Sequence, residues 1–168
     1  MRKKLVIKMG FTLIELLVVI SVIGFLASSA MVLIRVTQIK ARNVRRNGDI
    51  VQLIKAFRLA EDNAGGVLPT GGACVSNGCT GIFSPFVNID AVYSAIAPYI
   101  QKPSDSSEFG RTGSGYIYSS PASYYSSSPG SWLSWLLEPV ANVPGVCGPG
   151  SAHLDTLPAA ILCDVKID

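Results

Sequence analysis

The chain's 168 residues suffice for one domain with a modest core and are too few for a two-domain enzyme with a separate cofactor module. With 49% hydrophobic and only 15% charged residues and a mean hydropathy of +0.40, the composition excludes a disordered protein and points to contact with lipid or another apolar partner. The formal charge of +3 belongs to the N-terminus: Arg2, Lys3, Lys4 and Lys8 are four of the fourteen basic residues, and the other ten face eleven acidic ones, which excludes a general polyanion-binding surface.

The first ten residues, MRKKLVIKMG, form a basic leader, and Phe11 to Ile34 then run apolar apart from Thr12, Glu15 and a few serines. As a helix that run would span about 36 Å, enough to cross a hydrocarbon core of about 30 Å. A cleaved secretory signal with its small-residue site at Ala27 to Ala30 is the competing reading, and Glu15 speaks against it. A carboxylate within a spanning helix costs about 2.5–3.5 kcal/mol on insertion scales and normally has a partner or a function. One account places Glu15 near the helix end, where the dipole and the interface relieve it. Cutting at Gly10-Phe11 supplies another, because Phe11 would gain a free amine four residues before Glu15. An ammonium and a carboxylate neutralise each other, within one helix or between neighbouring chains, where an unpaired charge in hydrocarbon is costly.

The stretch Lys8-Met9-Gly10-Phe11-Thr12-Leu13-Ile14-Glu15-Leu16-Leu17-Val18-Val19-Ile20, with Gly24 beyond it, resembles the class III signal of type IV pilins and type II secretion pseudopilins. The resemblance implies that a prepilin peptidase cuts after Gly10 on the cytoplasmic side and methylates the new N-terminal Phe11. It also implies that Glu15 partners a neighbouring subunit's amine during assembly. The chain departs from the pattern at Val32, where many members carry proline, so Gly24 is left as the only weak point of the helix.

Basic residues do not orient the helix, since Arg35, Lys40, Arg42, Arg45 and Arg46 flank its far end as heavily as the leader flanks its start. The cysteines do. Cys74, Cys79, Cys147 and Cys163 all follow the helix, and an even set on one side suggests disulfides in an oxidising compartment. The leader is therefore placed in the cytoplasm and the C-terminal domain outside a single-pass inner-membrane helix.

The helical pattern continues through Val36, Ile39, Val44, Val51, Ile54, Phe57 and Ala60, with Gly48 weakening it by about 1 kcal/mol. Arg42, Arg45, Arg46, Asp49, Gln52, Lys55 and Arg58 form the opposite face, and Asn63-Ala64-Gly65-Gly66 ends the helix. A helix from Phe11 to Asp62 would be about 78 Å long. Its apolar C-terminal half is expected to pack under a globular head, and its N-terminal half against other copies. The basic face is read as solvated or in contact with acidic neighbours, with DNA in a competence filament as the alternative.

From Gly65 the composition turns to Gly, Ser, Pro and aromatics. The turn residues between Cys74 and Cys79 let those two thiols meet, and with His153 as the sole histidine a zinc site lacks ligands. Asn88 or Asp90 can cap a short helix through Ile100, closed by Pro103. Tyr116-Ile117-Tyr118 and Tyr124-Tyr125 read as strands, and Ala159 to Ile167 as a last one. Trp132 to Glu138 is helix or strand by periodicity alone; the resemblance, to an aromatic-rich strand ending in Leu-Glu, selects strand. Pro103-Ser104-Asp105 resembles the Pro-x-Asp turn of the same families.

Cys147 and Cys163 bound a Gly/Pro-rich segment, from Gly148 to Pro158, similar to the disulfide-bounded C-terminal loop of type IV pilins. Closing it would contribute roughly 3 kcal/mol by chain-entropy arithmetic. Asp155 and Asp164 are available to calcium, which major pseudopilins often bind in this area, but two carboxylates are few for a calcium shell and ordinary surface acids are the preferred reading. No catalytic set emerges: Gly110 to Gly115 matches neither phosphate-binding nor dinucleotide-binding loops, and His153 stands alone in a loop.

The expected architecture is α+β, a long N-terminal helix packed on a small antiparallel sheet. Its expected parts are a cleaved leader (1–10), a transmembrane and filament-core helix (11–34), an amphipathic continuation (35–62) and an extracytoplasmic head (63–168). The expected function, implied by the resemblance, is a structural, non-enzymatic subunit of a type IV pilus or related filament without a cofactor. Its partners are other copies, the prepilin peptidase, an assembly platform and ATPase of the inner membrane, and lipid before assembly. A secretion pseudopilin and a bitopic membrane anchor with an extracellular binding domain are the alternatives.

Overall fold

The computed structural model describes residues 11–86, 90–105, 114–123, 128–139, 147–153 and 160–168. The elements are α1 (Leu13–Asn63), β1 (Gly71–Cys74), a 3-10 turn (Gly81–Phe83), α2 (Asp90–Ile96), β2 (Tyr116–Ser120), β3 (Trp132–Leu137), β4 (Ser151–His153) and β5 (Ile161–Lys166). This is the expected α+β arrangement. The chain divides into two compact units, Met1–Gln38 and Ile39–Asp168.

Within the first unit the described residues are helical from Leu13 onward, through Gly24 and Val32 without a break. The stretch is long and apolar enough to cross a membrane, and its large apolar side chains, where described, are exposed, from Leu13 at 82% down to Val19 at 48%. The hydroxyls within it bond to their own helix. Ser21 donates to the Leu17 carbonyl at 2.7 Å, Ser28 to Phe25 at 2.8 Å and Ser29 to Leu26 at 2.9 Å. These bonds remove the cost of placing unsatisfied donors in an apolar medium.

The second unit is built on a five-stranded antiparallel sheet of order β1-β2-β3-β5-β4. Both faces of its central strands are buried, so β2 and β3 do not alternate between apolar and polar side chains. One face, carrying Tyr116, Tyr118, Leu133, Trp135 and Leu137, joins Ile50, Leu53, Phe57 and Ala60 of α1 in the main core. Phe57 stacks on Tyr118 with ring centroids 4.6 Å apart. The other face, with Ile117, Leu136 and Leu162, packs on Phe83 of the 3-10 turn and Ala160.

The buried stripe of α1 corrects the expected one. It runs Asn43, Arg46, Ile50, Leu53, Phe57, Ala60, at steps of three and four residues, whereas Val44 is 71% and Val51 38% exposed. Over its first half the expected stripe lies one residue, about 100°, out of phase. Counting apolar residues misplaces it because two of the inward positions are polar. Arg46 is only 2% exposed and donates to Asp105 Oδ1 and Glu138 Oε1, each at 3.3 Å, and to Asn43 Oδ1 at 2.8 Å. Arg42 forms a two-pronged pair with Glu138, and Asp49 accepts the Tyr116 hydroxyl at 2.9 Å. Three members of the face read as solvated or in contact with acidic neighbours thus hold the helix to the sheet, Arg42 and Arg46 through acidic partners, while Arg45, Gln52, Lys55 and Arg58 are exposed.

Asn43 closes this joint. Its Nδ2 donates to the Glu138 carbonyl at 2.9 Å and its Oδ1 accepts the Glu138 N–H at 3.0 Å, so one amide side chain satisfies both main-chain groups just beyond β3. Asp105, in the expected Pro-x-Asp turn, also accepts the Gly115 N–H at 3.1 Å. Burial, with the Asp49 charge beside it, holds the Tyr116 phenol far above its ordinary ionisation range, so it remains a donor at any physiological pH.

The forked bond from Arg42 is the main cause that holds the Glu138 carboxyl below its ordinary value of 4.5, with the charges of Arg42 and Arg46 adding to it. A carboxyl depressed in the folded state contributes stability above its unfolded value and loses it as pH falls through the folded one. Unfolding midpoints should therefore drop between about pH 5 and 3. Glu138→Gln should start less stable at pH 7 and show a flatter decline over the same window.

Elsewhere the boundaries shift. α2 ends at Ile96 instead of Ile100, followed by a hydrogen-bonded turn in which Ile100 N–H donates to Ile96 O. Trp132–Leu137 is a strand as expected, and the last strand is Ile161–Lys166. β1 and β4 were not anticipated. Gly-Gly-Ala and Ser-Ala-His carry no strand signal of their own and are ordered by main-chain pairing with β2 and β5. His153, expected in a loop, pairs with Leu162 in β4. The expectations for Asn88, Tyr124-Tyr125 and Asp155 fall outside the described residues, and nothing is described of the Asp90 side chain.

Two disulfides, Cys74–Cys79 and Cys147–Cys163, span sequence separations of 5 and 16. Gly115 packs against the first. Its φ is +114°, and a Cβ there would lie 2.7 Å from Cys79 Sγ and 2.8 Å from the Gly78 carbonyl. Gly115→Ala should lower stability by about 2–3 kcal/mol, read from thermal unfolding of the detergent-solubilised chain.

Candidate functional site: the start of the N-terminal helix

The helix begins where its sequence supplies a start signal. Thr12 stands just before Leu13, and Glu15 is the acidic residue of the first turn. Thr12 N–H donates to Glu15 Oε2 at 2.9 Å and the Thr12 hydroxyl to the same oxygen at 2.7 Å, while Glu15 N–H reaches back to Thr12 Oγ1 at 3.4 Å. This is a capping box, Thr-x-x-Glu, in which two helix-end donors are satisfied reciprocally. Glu15 also lies against the positive end of the helix dipole. No hydrogen bond to its second oxygen, Oε1, is seen among the described residues.

Phe11 precedes this cap, 79% exposed, and Ile14, Val18 and Val19 extend an apolar surface beside Glu15. The site thus joins a carboxylate to an unburied apolar helix, a pairing that favours a partner both oily and positively charged.

Residues 10–31 match the prokaryotic N-terminal methylation motif. The match spans 22 of the 168 residues, the same segment that resembles the class III signal of type IV pilin-like proteins. No curated protein and no solved structure matches the chain. The signal implies peptidase processing and filament assembly in general, and it points to a structural protein rather than an enzyme. With the long apolar helix, it is compatible with anchoring in the inner membrane.

Of the residues singled out in the signal, Gly10 lies outside the described residues, and Phe11 and Glu15 flank Thr12 at the helix start. Thr12 is the residue the sequence reading passed over as an apolar-run interruption, although Thr-x-x-Glu before an apolar run is itself a legible cap. The four cysteines lie in the other unit, paired as two disulfides. Among the described residues no group of three His, Cys, Asp or Glu side chains is placed to hold a metal. Asp164, expected as a surface acid, is 1% exposed, with the Ser123 hydroxyl donating to its Oδ2 at 3.5 Å. Its place on β5 beside β3 turns it into the sheet's packed back face.

Proposed function

We propose that the chain is a structural subunit of a type IV pilus or related filament, cut between Gly10 and Phe11, methylated on Phe11 and polymerised through its N-terminal helix. The observation that carries this reading is the Glu15 carboxylate, fixed by Thr12 through one oxygen at the head of an unburied apolar helix within the methylation motif. After cleavage the Phe11 amine of one copy neutralises Glu15 of another. The helix then leaves lipid for a filament core, exchanging one apolar surrounding for another. Because the two burials are similar in kind, the work of extraction falls to an ATPase acting through a membrane platform.

In this reading residues 11–34 span the inner membrane before assembly, and the unit carrying both disulfides lies outside, where an oxidising compartment maintains them. The filament is then extracellular or periplasmic. The bridge between Cys147 and Cys163 favours a pilin over a secretion pseudopilin, which remains the second reading.

Mass spectrometry of the membrane-extracted protein, before and after reduction, tests the proposal. A chain beginning at methylated Phe11, lighter by about four hydrogens before reduction, is expected from processing and two bridges. An intact Met1 terminus in a host that has the peptidase would overturn it.

A further inference from the structure

The two disulfides stand in opposite surroundings. Cys147 and Cys163 are 2% and 0% exposed, and Cys163 sits in β5 between β3 and β4 within the main core. Cys74 is 3% exposed at the end of β1, whereas Cys79 is only half-buried and follows the exposed Asn77 and Gly78. A thiolate breaks a disulfide by approaching one sulfur in line with the S–S bond, so access to a sulfur decides which bridge exchanges. Of the four cysteines only Cys79 is not fully buried, so its sulfur is the point of entry considered.

The loop between Cys74 and Cys79 is also held without its bridge. Val75 N–H donates to Tyr116 O and Asn77 N–H to Pro103 O, each at 2.9 Å, and Thr80 N–H donates to Ser114 O at 3.0 Å. Ser114 N–H returns a bond to Thr80 Oγ1 at 3.0 Å, and Tyr116 N–H donates to Ser76 Oγ at 3.0 Å. These bonds hold the main chain of the loop in place when the S–S bond opens, so the two sulfurs need only move apart to non-bonded contact.

Their polar neighbours suit thiols. Cys79 Sγ lies 3.5 Å from the Tyr116 carbonyl oxygen and Cys74 Sγ 3.6 Å from that of Ser76, acceptors to which a disulfide sulfur donates nothing and a thiol donates its hydrogen. The Ser76 hydroxyl stands 3.6 Å from each sulfur and can turn from the Gly78 carbonyl toward a Cys74 thiolate.

We propose that the Cys74–Cys79 bridge is a thiol-exchange site, entered at Cys79 Sγ by an external dithiol, while the Cys147–Cys163 bridge is structural. A thiolate of the dithiol attacks Cys79 Sγ and forms a mixed disulfide. The Cys74–Cys79 bond breaks with its electron pair on Cys74, whose thiolate is met by Ser76 and then takes a proton. The donor's second thiolate attacks its own linked sulfur and releases Cys79, which is protonated in turn. The chain gains two electrons and two protons, and the donor leaves as a disulfide. The reverse sequence with an oxidised donor closes the bridge.

The test uses the full chain in detergent, titrated with dithiothreitol, trapped with iodoacetamide and mapped by peptide mass spectrometry. Cys74 and Cys79 should be labelled at about one-tenth or less of the reductant needed for Cys147 and Cys163, with the circular dichroism unchanged. Simultaneous opening of both bridges, earlier opening of the Cys147 pair, or loss of dichroism with the first labelling would overturn the proposal. The point of entry is read separately with oxidised glutathione. The Cys79 thiol of Cys74→Ser should exchange about tenfold or more faster than the Cys74 thiol of Cys79→Ser, and equal or inverted rates would remove Cys79 from its role.

Discussion

Arg46→Ala is expected to lower the stability of the folded chain by about 3–5 kcal/mol, the range for removing one partner of a buried ion pair. The side chain is 3% exposed, and its carboxylate partners Asp105 and Glu138 are 2% and 17% exposed. Truncation withdraws the guanidinium from both and also takes a donor from Asn43 Oδ1. Most of the loss comes from withdrawing the guanidinium from a buried carboxylate partner rather than from the pair's own net attraction. For a chain of this size the expected fall in melting temperature is about 6–20 °C. Arg46→Lys should recover only part of it, because an ammonium does not reproduce three directed contacts. Thermal unfolding of both variants in the same detergent checks the prediction, and a loss below about 1 kcal/mol for Arg46→Ala would show that the joint is not a stabilising element.

Glu15→Ala should leave membrane insertion intact or improved, since it removes a group that costs about 2.5–3.5 kcal/mol at the centre of a spanning helix and less near its end. Filament yield should collapse, because the Phe11 amine of an incoming copy would then enter an apolar interior without a counter-charge. The two readouts are membrane-fraction abundance and sheared filament mass. Wild-type filament levels from the variant would end the pairing argument. Thr12 refines it. Thr12→Val removes the hydroxyl bond to Glu15 Oε2 and leaves the main-chain one, so assembly should fall less than in Glu15→Ala, and Thr12→Ser should restore it.

Much of this was legible in the residues themselves. The apolar run, its lone carboxylate and the Thr-x-x-Glu cap are local signals, and local signals are what a sequence carries most plainly. The strand at Trp132–Leu137 was chosen through a family likeness, since six residues buried on both faces show no period of their own. The phase of α1 was misread because Asn43 and Arg46 look like surface residues until the groups they meet are known. Those groups, Asp105 and Glu138, lie 59 and 92 positions from Arg46. β4 escaped for the same reason: three residues with no hydrophobic pattern become a strand only when β5 lies beside them.

The clamp of Asn43 on Glu138 has a mechanical consequence. Its two bonds, the Arg42 fork and the Arg46 contact all converge on one residue just past the end of β3. Traction along α1 would load these bonds together, in parallel, rather than peel them one after another. A slip of one helical turn, about 5.4 Å, would have to break every one of them before any could re-form. Residue 138 therefore acts as a detent that indexes the sheet to one position on the helix, the property a link needs if it is to transmit force without creep.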